Sequence, residues 1–346
     1  MVTTELVRII TLGATAFVVA IFFTPFVTHF LYKYNFSKQI KPAQITPVFN
    51  KYHKHKSGTP TMGGILIWGT VLLLLVVFYF ISVGFEDSAL ARFNFLDRGQ
   101  TYLPIAALII AALLGMADDI LGVLKIGPRG GGLRMKDRLL LYTAIAALGA
   151  LWFYFRLDWT TLSVPFWGEF NIGIWYIPYF IFIIVATAFS TNETDGLDGL
   201  SGGVLMVAYA SFGIFAFLQG FFHLAAFIAV VMGALLAYLW FNIPPARFYM
   251  GDTGAMSLGV TLGIIAMLTD TSLLLPLVGF ILVAESLSVV IQMTWKKFKG
   301  KKLFHSAPIH HHFEALGWPE AKIVMRFWII TAVMAGFGII IYILGY

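Results

Sequence analysis

The chain has 346 residues, 59% of them apolar and 12% charged, with a mean hydropathy of +0.86. Soluble domains carry about 25% charged residues, so a water-soluble globule is disfavoured; the absence of cysteine excludes a disulfide scaffold, a Cys-ligated zinc and a thiol nucleophile. The 23 Lys+Arg against 17 Asp+Glu would suggest nucleic acid in a soluble protein, but here they raise the question of membrane sidedness, and no nucleic-acid partner is expected.

A membrane-crossing helix needs about 20 mostly apolar residues. Ten stretches qualify, near residues 6–31, 63–83, 102–116, 139–154, 174–188, 202–218, 223–241, 254–268, 274–295 and 327–344. The third, fifth and eighth are short and the sixth and seventh nearly touch, so nine is the competing count, with opposite parity. The first apolar stretch is too long for a signal-peptide core and Glu5 interrupts its basic flank, which favours a retained helix. Pro25 within it is expected to be a tolerated kink. With the N-terminus outside, the cytoplasmic segments 33–62, 117–138, 189–201, 242–253 and 296–325 hold 18 of the 23 basic residues. That asymmetry predicts an all-α polytopic membrane protein, N-out and C-out, forming one domain over 1–346.

The chemistry-bearing motifs fall on those segments in chain order. KSGTPTMGG, with Lys56 and Thr61, reads as a phosphate cradle or as ordinary inner charge before a turn. Asp118 and Asp119 close the third span, either as solvated charge or as hard-oxygen ligands for Mg2+. TNETDGLDGLSGG sets Asp195 and Asp198 three residues apart, one helical turn if the segment winds, with Gly196 letting backbone N–H groups approach an anion; a capped loop is the plainer alternative. In FNIPPARFYMGDTGA, Asn242 precedes a GDTG turn where Asp252 adds a metal ligand beside a helix N-terminus suited to phosphate. Glu285, inside the ninth span, is either functional or a buried hydrogen-bonding support. His310, His311 and His312 are adjacent, hence about 100° apart on a helix, so hydrogen bonding to phosphate or sugar by one or two of them is favoured over a zinc site. Five loops placing Asp, Asn, Lys, Thr and His at one membrane face suggest one shared site for Mg2+-assisted phosphoryl chemistry on a lipid substrate.

KSGTPTMGG, the Asp118–Asp119 pair, Asn192 with TDGLDGL, NIPPARFYMGDTGA and PIHHHFE, in this order, resemble the phospho-N-acetylmuramoyl-pentapeptide transferase family of the polyprenyl-phosphate N-acetylhexosamine-1-phosphate transferase superfamily. The resemblance runs from about residue 40 to 328. It implies transfer of phospho-N-acetylmuramoyl-pentapeptide from its UDP carrier to undecaprenyl phosphate, giving lipid I and UMP. It further implies a Mg2+ requirement, a cytoplasmic-facing cleft and a homodimer in the bacterial cytoplasmic membrane. Carried over by position, Asp252 would be the principal Mg2+ ligand, with Asp118 and Asp195 as further candidates. Asp118 and Asp119 would act at the lipid phosphate and diphosphate, with Asp118 the candidate general base and His310 joining the catalytic set. Asn192, Asp195, Gly196, Leu197, Asp198 and Asn242 would line the nucleotide pocket and Tyr249 would face the uracil. Lys56, Thr61, His310 and His311 would hold diphosphate or sugar.

One segment and two single residues depart from the family pattern. Phe189 to Glu193 replace the usual Asn-Ala-Val-Asn-Leu, Tyr249 stands for Phe, and Ile120 follows the acidic pair where an aromatic residue is common. PIHHHFE argues against a relative using UDP-N-acetylglucosamine. An anion transporter would place its acids at the bilayer midplane, where only Glu285 is expected.

Overall fold

A computed structural model describes residues 2–37, 58–128 and 131–346. The described chain is almost wholly helical: α1 (Val2–Lys33), α2 (Gly64–Gly84), α3 (Tyr102–Val123), α4 (Met135–Arg156), α5 (Tyr176–Thr194), α6 (Leu200–Leu218), α7 (Phe222–Asn242), α8 (Gly251–Leu268), α9 (Phe280–Lys299), α10 (Ile309–Ala315) and α11 (Glu320–Gly345). Strands β1 (Thr161–Val164) and β2 (Gly168–Asn171) form one antiparallel hairpin between α4 and α5, pairing Thr161 with Asn171.

Among the described residues nine helices are long and apolar enough to cross a membrane. A tenth crossing is broken: Ser272–Val278 and Phe280–Lys299 meet at 86°. The continuous ninth helix expected over 274–295 is therefore corrected to a bent pair, and Gly279 is the residue between its two arms. Connectivity nonetheless makes the pair one crossing. Ser163 donates to Asp270, just before it, and the Phe166 N–H donates to the Gly345 carbonyl, so the hairpin, the end of α8 and the chain terminus share one end of the bundle. At the same end, Gln219 donates to the Thr269 carbonyl at 2.8 Å, and Arg8 of α1 reaches the Asn94 carbonyl at 3.0 Å and His223 at 3.3 Å. The chain after the bent pair arrives at the opposite end, where His310 lies against Gly196. Both described termini thus share an end, as an even number of spans requires. α1 runs through Pro25 without a break.

The bundle is organised around α8, all of whose 18 residues are buried. A helix buried on every side need not be amphipathic, and α8 is instead rich in Gly, Ser and Thr. In lipid the hydrophobic effect does not drive helices together, so close backbone approach and interhelical hydrogen bonds must. A Cβ at Gly115 would overlap the Asp252 backbone, and one at Gly64 would overlap Gly254. These contacts press α3 and α2 onto the first turn of α8. Thr253 ties that turn further, donating to the Ala112 carbonyl at 2.8 Å and accepting from the Trp68 indole at 3.2 Å. Outward faces carry exposed Phe22, Phe26 and Phe80 and, on α11, Ile329 and Ile343, as lipid-facing surfaces do.

Candidate active site

The polar residues singled out from the sequence sit at the end of the bundle opposite the hairpin. The hydropathic spans stop short of them, yet the helices run on through: α3 carries Asp118 and Asp119 in its last turns, α5 continues past Asn192, and α8 begins at Gly251 with Asp252 in its first turn. Helical carriage fixes these groups more tightly than loops would.

Asp119 is held by the start of α8. Its Oδ2 accepts the Thr253 N–H at 3.0 Å and its Oδ1 accepts the Thr61 hydroxyl at 3.3 Å, a charge placed where the helix dipole favours an anion. Gly251 makes room for it. Its φ is +72°, and a Cβ there would lie 2.6 Å from both Asp119 Oδ2 and Thr61 Oγ1. Asp118 accepts the Leu133 N–H at 2.6 Å and meets Arg138 Nε at 2.6 Å. Arg138, from the first turns of α4, also reaches Asp252 Oδ2 at 2.8 Å and Asn192 Oδ1 at 3.2 Å, while Asn192 donates to Asp252 Oδ1 at 2.6 Å. One guanidinium thus gathers oxygens from α3, α5 and α8. The sequence reading missed Arg138, having counted it only as inner positive charge. The available signal was a basic residue directly before an apolar span, at the same face as the acids and so within reach of them.

The TDGLDG turn is tied to the segment between α7 and α8. The Asn242 side chain accepts the Gly199 N–H at 2.9 Å and donates to the Phe248 carbonyl at 2.9 Å. Asp198 Oδ2 accepts the Ala246 N–H at 3.1 Å, and the Asp198 N–H donates to Glu320 at 2.7 Å, a further residue the sequence did not reveal. Asp195 accepts the Ser201 hydroxyl at 2.8 Å, at the neck of the turn rather than among the Arg138 oxygens. Leu197 is buried beneath the turn. Tyr249 is clasped through its backbone, donating to the Pro60 carbonyl at 2.8 Å and accepting from Gly63 at 2.7 Å, and burial raises its phenol well above the ordinary range. Lys56 lies outside the described residues.

The three histidines diverge. His310 Nδ1 meets the Glu285 carboxylate at 2.9 Å, and its ring lies against Gly196, where any Cβ would overlap Nε2. His311 Nδ1 meets Glu314 at 2.6 Å, and His312 accepts the His305 N–H at 3.2 Å. Burial works against a charged His310, but the Glu285 charge and hydrogen bond, with Glu314 and Glu193 nearby, outweigh it and raise its pKa above the ordinary histidine value. Glu285 therefore belongs to the same end of the bundle as the other acids.

No three of the described His, Asp and Glu side chains converge as a complete metal shell. Two carboxylates and an amide oxygen already converge on a cation, however, and Mg2+ is held by one or two carboxylates plus substrate phosphates. That donor set fits the metal.

Residues 101–270 match the glycosyl transferase family 4, and residues 56–67 match phospho-N-acetylmuramoyl-pentapeptide-transferase signature 1. A phospho-N-acetylmuramoyl-pentapeptide-transferase of Chloroflexus aggregans is 36% identical over 97% of this chain and 89% of its own. The chain belongs to the phospho-N-acetylmuramoyl-pentapeptide-transferase family. Relatives of the same name from Clostridium perfringens, 36% identical over 92% of this chain and 93% of theirs, and from Listeria welshimeri, 35% identical over 94% and 95%, agree. The signature spans Thr61, the hydroxyl on Asp119, and the match to family 4 spans Asp118, Arg138, Asn192 and Asp252. Both family matches therefore fall on the groups that the fold brings together. Asn192, in the segment 189–193, is committed to Asp252 and Arg138.

Proposed function

We propose that this chain transfers phospho-N-acetylmuramoyl-pentapeptide from its UDP carrier to undecaprenyl phosphate at the cytoplasmic face of a bacterial cytoplasmic membrane, giving lipid I and UMP in the lipid-linked stage of peptidoglycan synthesis. The observation that carries the proposal is the convergence of Asp118, Asp252 and Asn192 oxygens on one cation at a single end of the bundle. The inward orientation of that end rests on its share of the basic residues. Mg2+, held by Asp252 and Asp118, would supply charge neutralisation for two reacting anions.

The chain's own groups account for the rest. A phosphate monoester has its second pKa near 6, so the lipid phosphate is already ionised near neutrality and needs little help from a base. Asp118, committed to the Leu133 N–H and Arg138, is better placed to orient than to take a proton. A lipid phosphate oxygen forms a bond to the β-phosphorus, the bridging P–O bond breaks, and its electron pair leaves on UMP. Arg138 is positioned to follow the phosphate oxygens, a fork geometry suited to them. The clasp of Asn242 and Asp198 shapes the TDGLDG turn for the nucleotide.

The test is to incubate the purified protein with UDP-MurNAc-pentapeptide, undecaprenyl phosphate and Mg2+ and to measure UMP and lipid I. Release of both is expected. Isolation of an aspartyl-linked phospho-sugar would overturn the direct displacement.

A further inference from the structure

Glu285 and His310 form a contact that the proposed reaction does not by itself explain. Glu285 is fully buried on α9 and His310 is 1% exposed on α10, so two ionisable groups have been withdrawn from water together. Such a pair is costly to build and is weak evidence for stability on its own. Glu285 Oε2 faces both the Nδ1 and the backbone N–H of His310, at 2.9 and 3.5 Å. A carboxylate opposite Nδ1 requires a proton on that nitrogen. The other ring nitrogen, Nε2, is buried with no hydrogen-bond partner among the described residues, and it abuts Gly196 of the TDGLDG turn. A buried nitrogen left unpaired calls for an explanation, and this one adjoins the turn that the proposed function assigns to the nucleotide.

We propose that Glu285 is a positioning residue for His310, holding the imidazole as a cation with Nε2–H offered at the Gly196 turn to a phosphate oxygen of the sugar nucleotide. The inference rests on the proposed function for the identity of the anion. The groups facing His310 are Glu285 from α9, Glu193 from the end of α5, and Glu314 and His311 on its own helix. Three of the four are acids, so the surroundings favour the charged ring. Gly196 is required because any side chain there would displace the ring from the turn.

The experiment is the pH dependence of UMP release by wild type, Glu285→Gln and Glu285→Asp. Loss of the imidazolium at high pH should produce a falling alkaline limb. Glu285→Gln removes the charge, so the limb should move to lower pH by about one unit or more, with about a tenfold lower rate on the falling limb. Glu285→Asp keeps the charge, so the limb should stay in place while kcat falls. A purely structural Glu285 would scale the whole profile without moving it, and that result overturns the proposal. Should Glu285→Gln not fold, His310→Asn decides: it should lack the alkaline limb, and a profile with the wild-type limb refutes the assignment. A wild-type protein that releases no UMP overturns the proposed function and this inference together. An active wild type with an unmoved Glu285→Gln limb overturns the inference alone.

Discussion

Replacing Arg138 with Met would remove the cation from among Asp118, Asp252 and Asn192 while keeping the apolar stem. Contacts of 2.6 and 2.8 Å to two carboxylates are lost. The carboxylate side chains are 0% and 9% exposed and the arginine 19%, so water relieves the orphaned charges only in part. Removing one partner of a buried ion pair costs about 3–5 kcal/mol, and the partial exposure of Arg138 points to the lower end, about 3 kcal/mol. At roughly 2 °C per kcal/mol for a large chain, the melting temperature should fall by about 6 °C. The assay is thermal unfolding in detergent with EDTA and with Mg2+. The variant should recover most of the loss in Mg2+, because a divalent cation can take the same oxygens without displacing a guanidinium. Wild type should gain less from Mg2+, since its site already holds a positive charge. An equal loss in both buffers, or no loss in EDTA, would refute the reasoning that these oxygens form a cation site.

Three further outcomes are expected. Gly251→Ala forces a side chain into a left-handed conformation, at about 1–2 kcal/mol, and into Asp119 and Thr61, so both melting temperature and UMP release should fall; an unaffected variant would mean that the turn relaxes freely. Asn242→Ala leaves the Gly199 N–H and the Phe248 carbonyl buried without their partner, at about 1–3 kcal/mol for each group, and should weaken nucleotide binding more than it slows saturated turnover, read as KM against kcat. His310, whose pKa is raised in the fold, should contribute stability that is complete below its unfolded pKa near 6.5 and is lost as pH rises through the folded value. A melting temperature flat across that alkaline window in wild type, or a decline that persists in His310→Asn, would count against the pairing with Glu285.

Much of the architecture was legible because hydropathy reports it directly. The ten crossings and the shared end of both termini follow from apolar runs about 20 residues long. The bend at Gly279 was not legible, since 274–295 is apolar on both arms and hydropathy carries no direction. Helix ends were misplaced at the functional positions for a related reason: a hydropathic span stops where the apolar run gives way to polar residues, whereas Asp118, Asn192 and Asp252 are acceptable within helices because partners on other helices satisfy them. Motif spacing located the loops that meet but not which atoms meet. Asn242 and Asp198, read as pocket residues, have side chains engaged by backbone groups of neighbouring segments, and nothing in one sequence distinguishes such a clasp from a ligand contact.

Arg138 and Glu285 show where reading charge by location succeeds and where it misleads. Both are ionisable groups on membrane-crossing helices, Arg138 in the first turn of α4 and Glu285 within α9, and both have opposite charge waiting at the same end of the bundle. Glu285 stands out in sequence because an acid within a span has no topological role. Arg138 does not, because the rule that places basic residues on the inner side already accounts for it. The charge that fixes orientation and the charge that builds the site are drawn from one pool, and only packing separates them. Arg138 meets carboxylates on two other helices, whereas Lys296 and Lys299 at the exposed end of α9 have no described ion-pair partner. Exchanging Lys299 for Gln should therefore leave the Mg2+-dependent melting shift unchanged, while Arg138→Met should enlarge it; equal effects would mean that the inner-face field as a whole, rather than this arginine, sets the cation site.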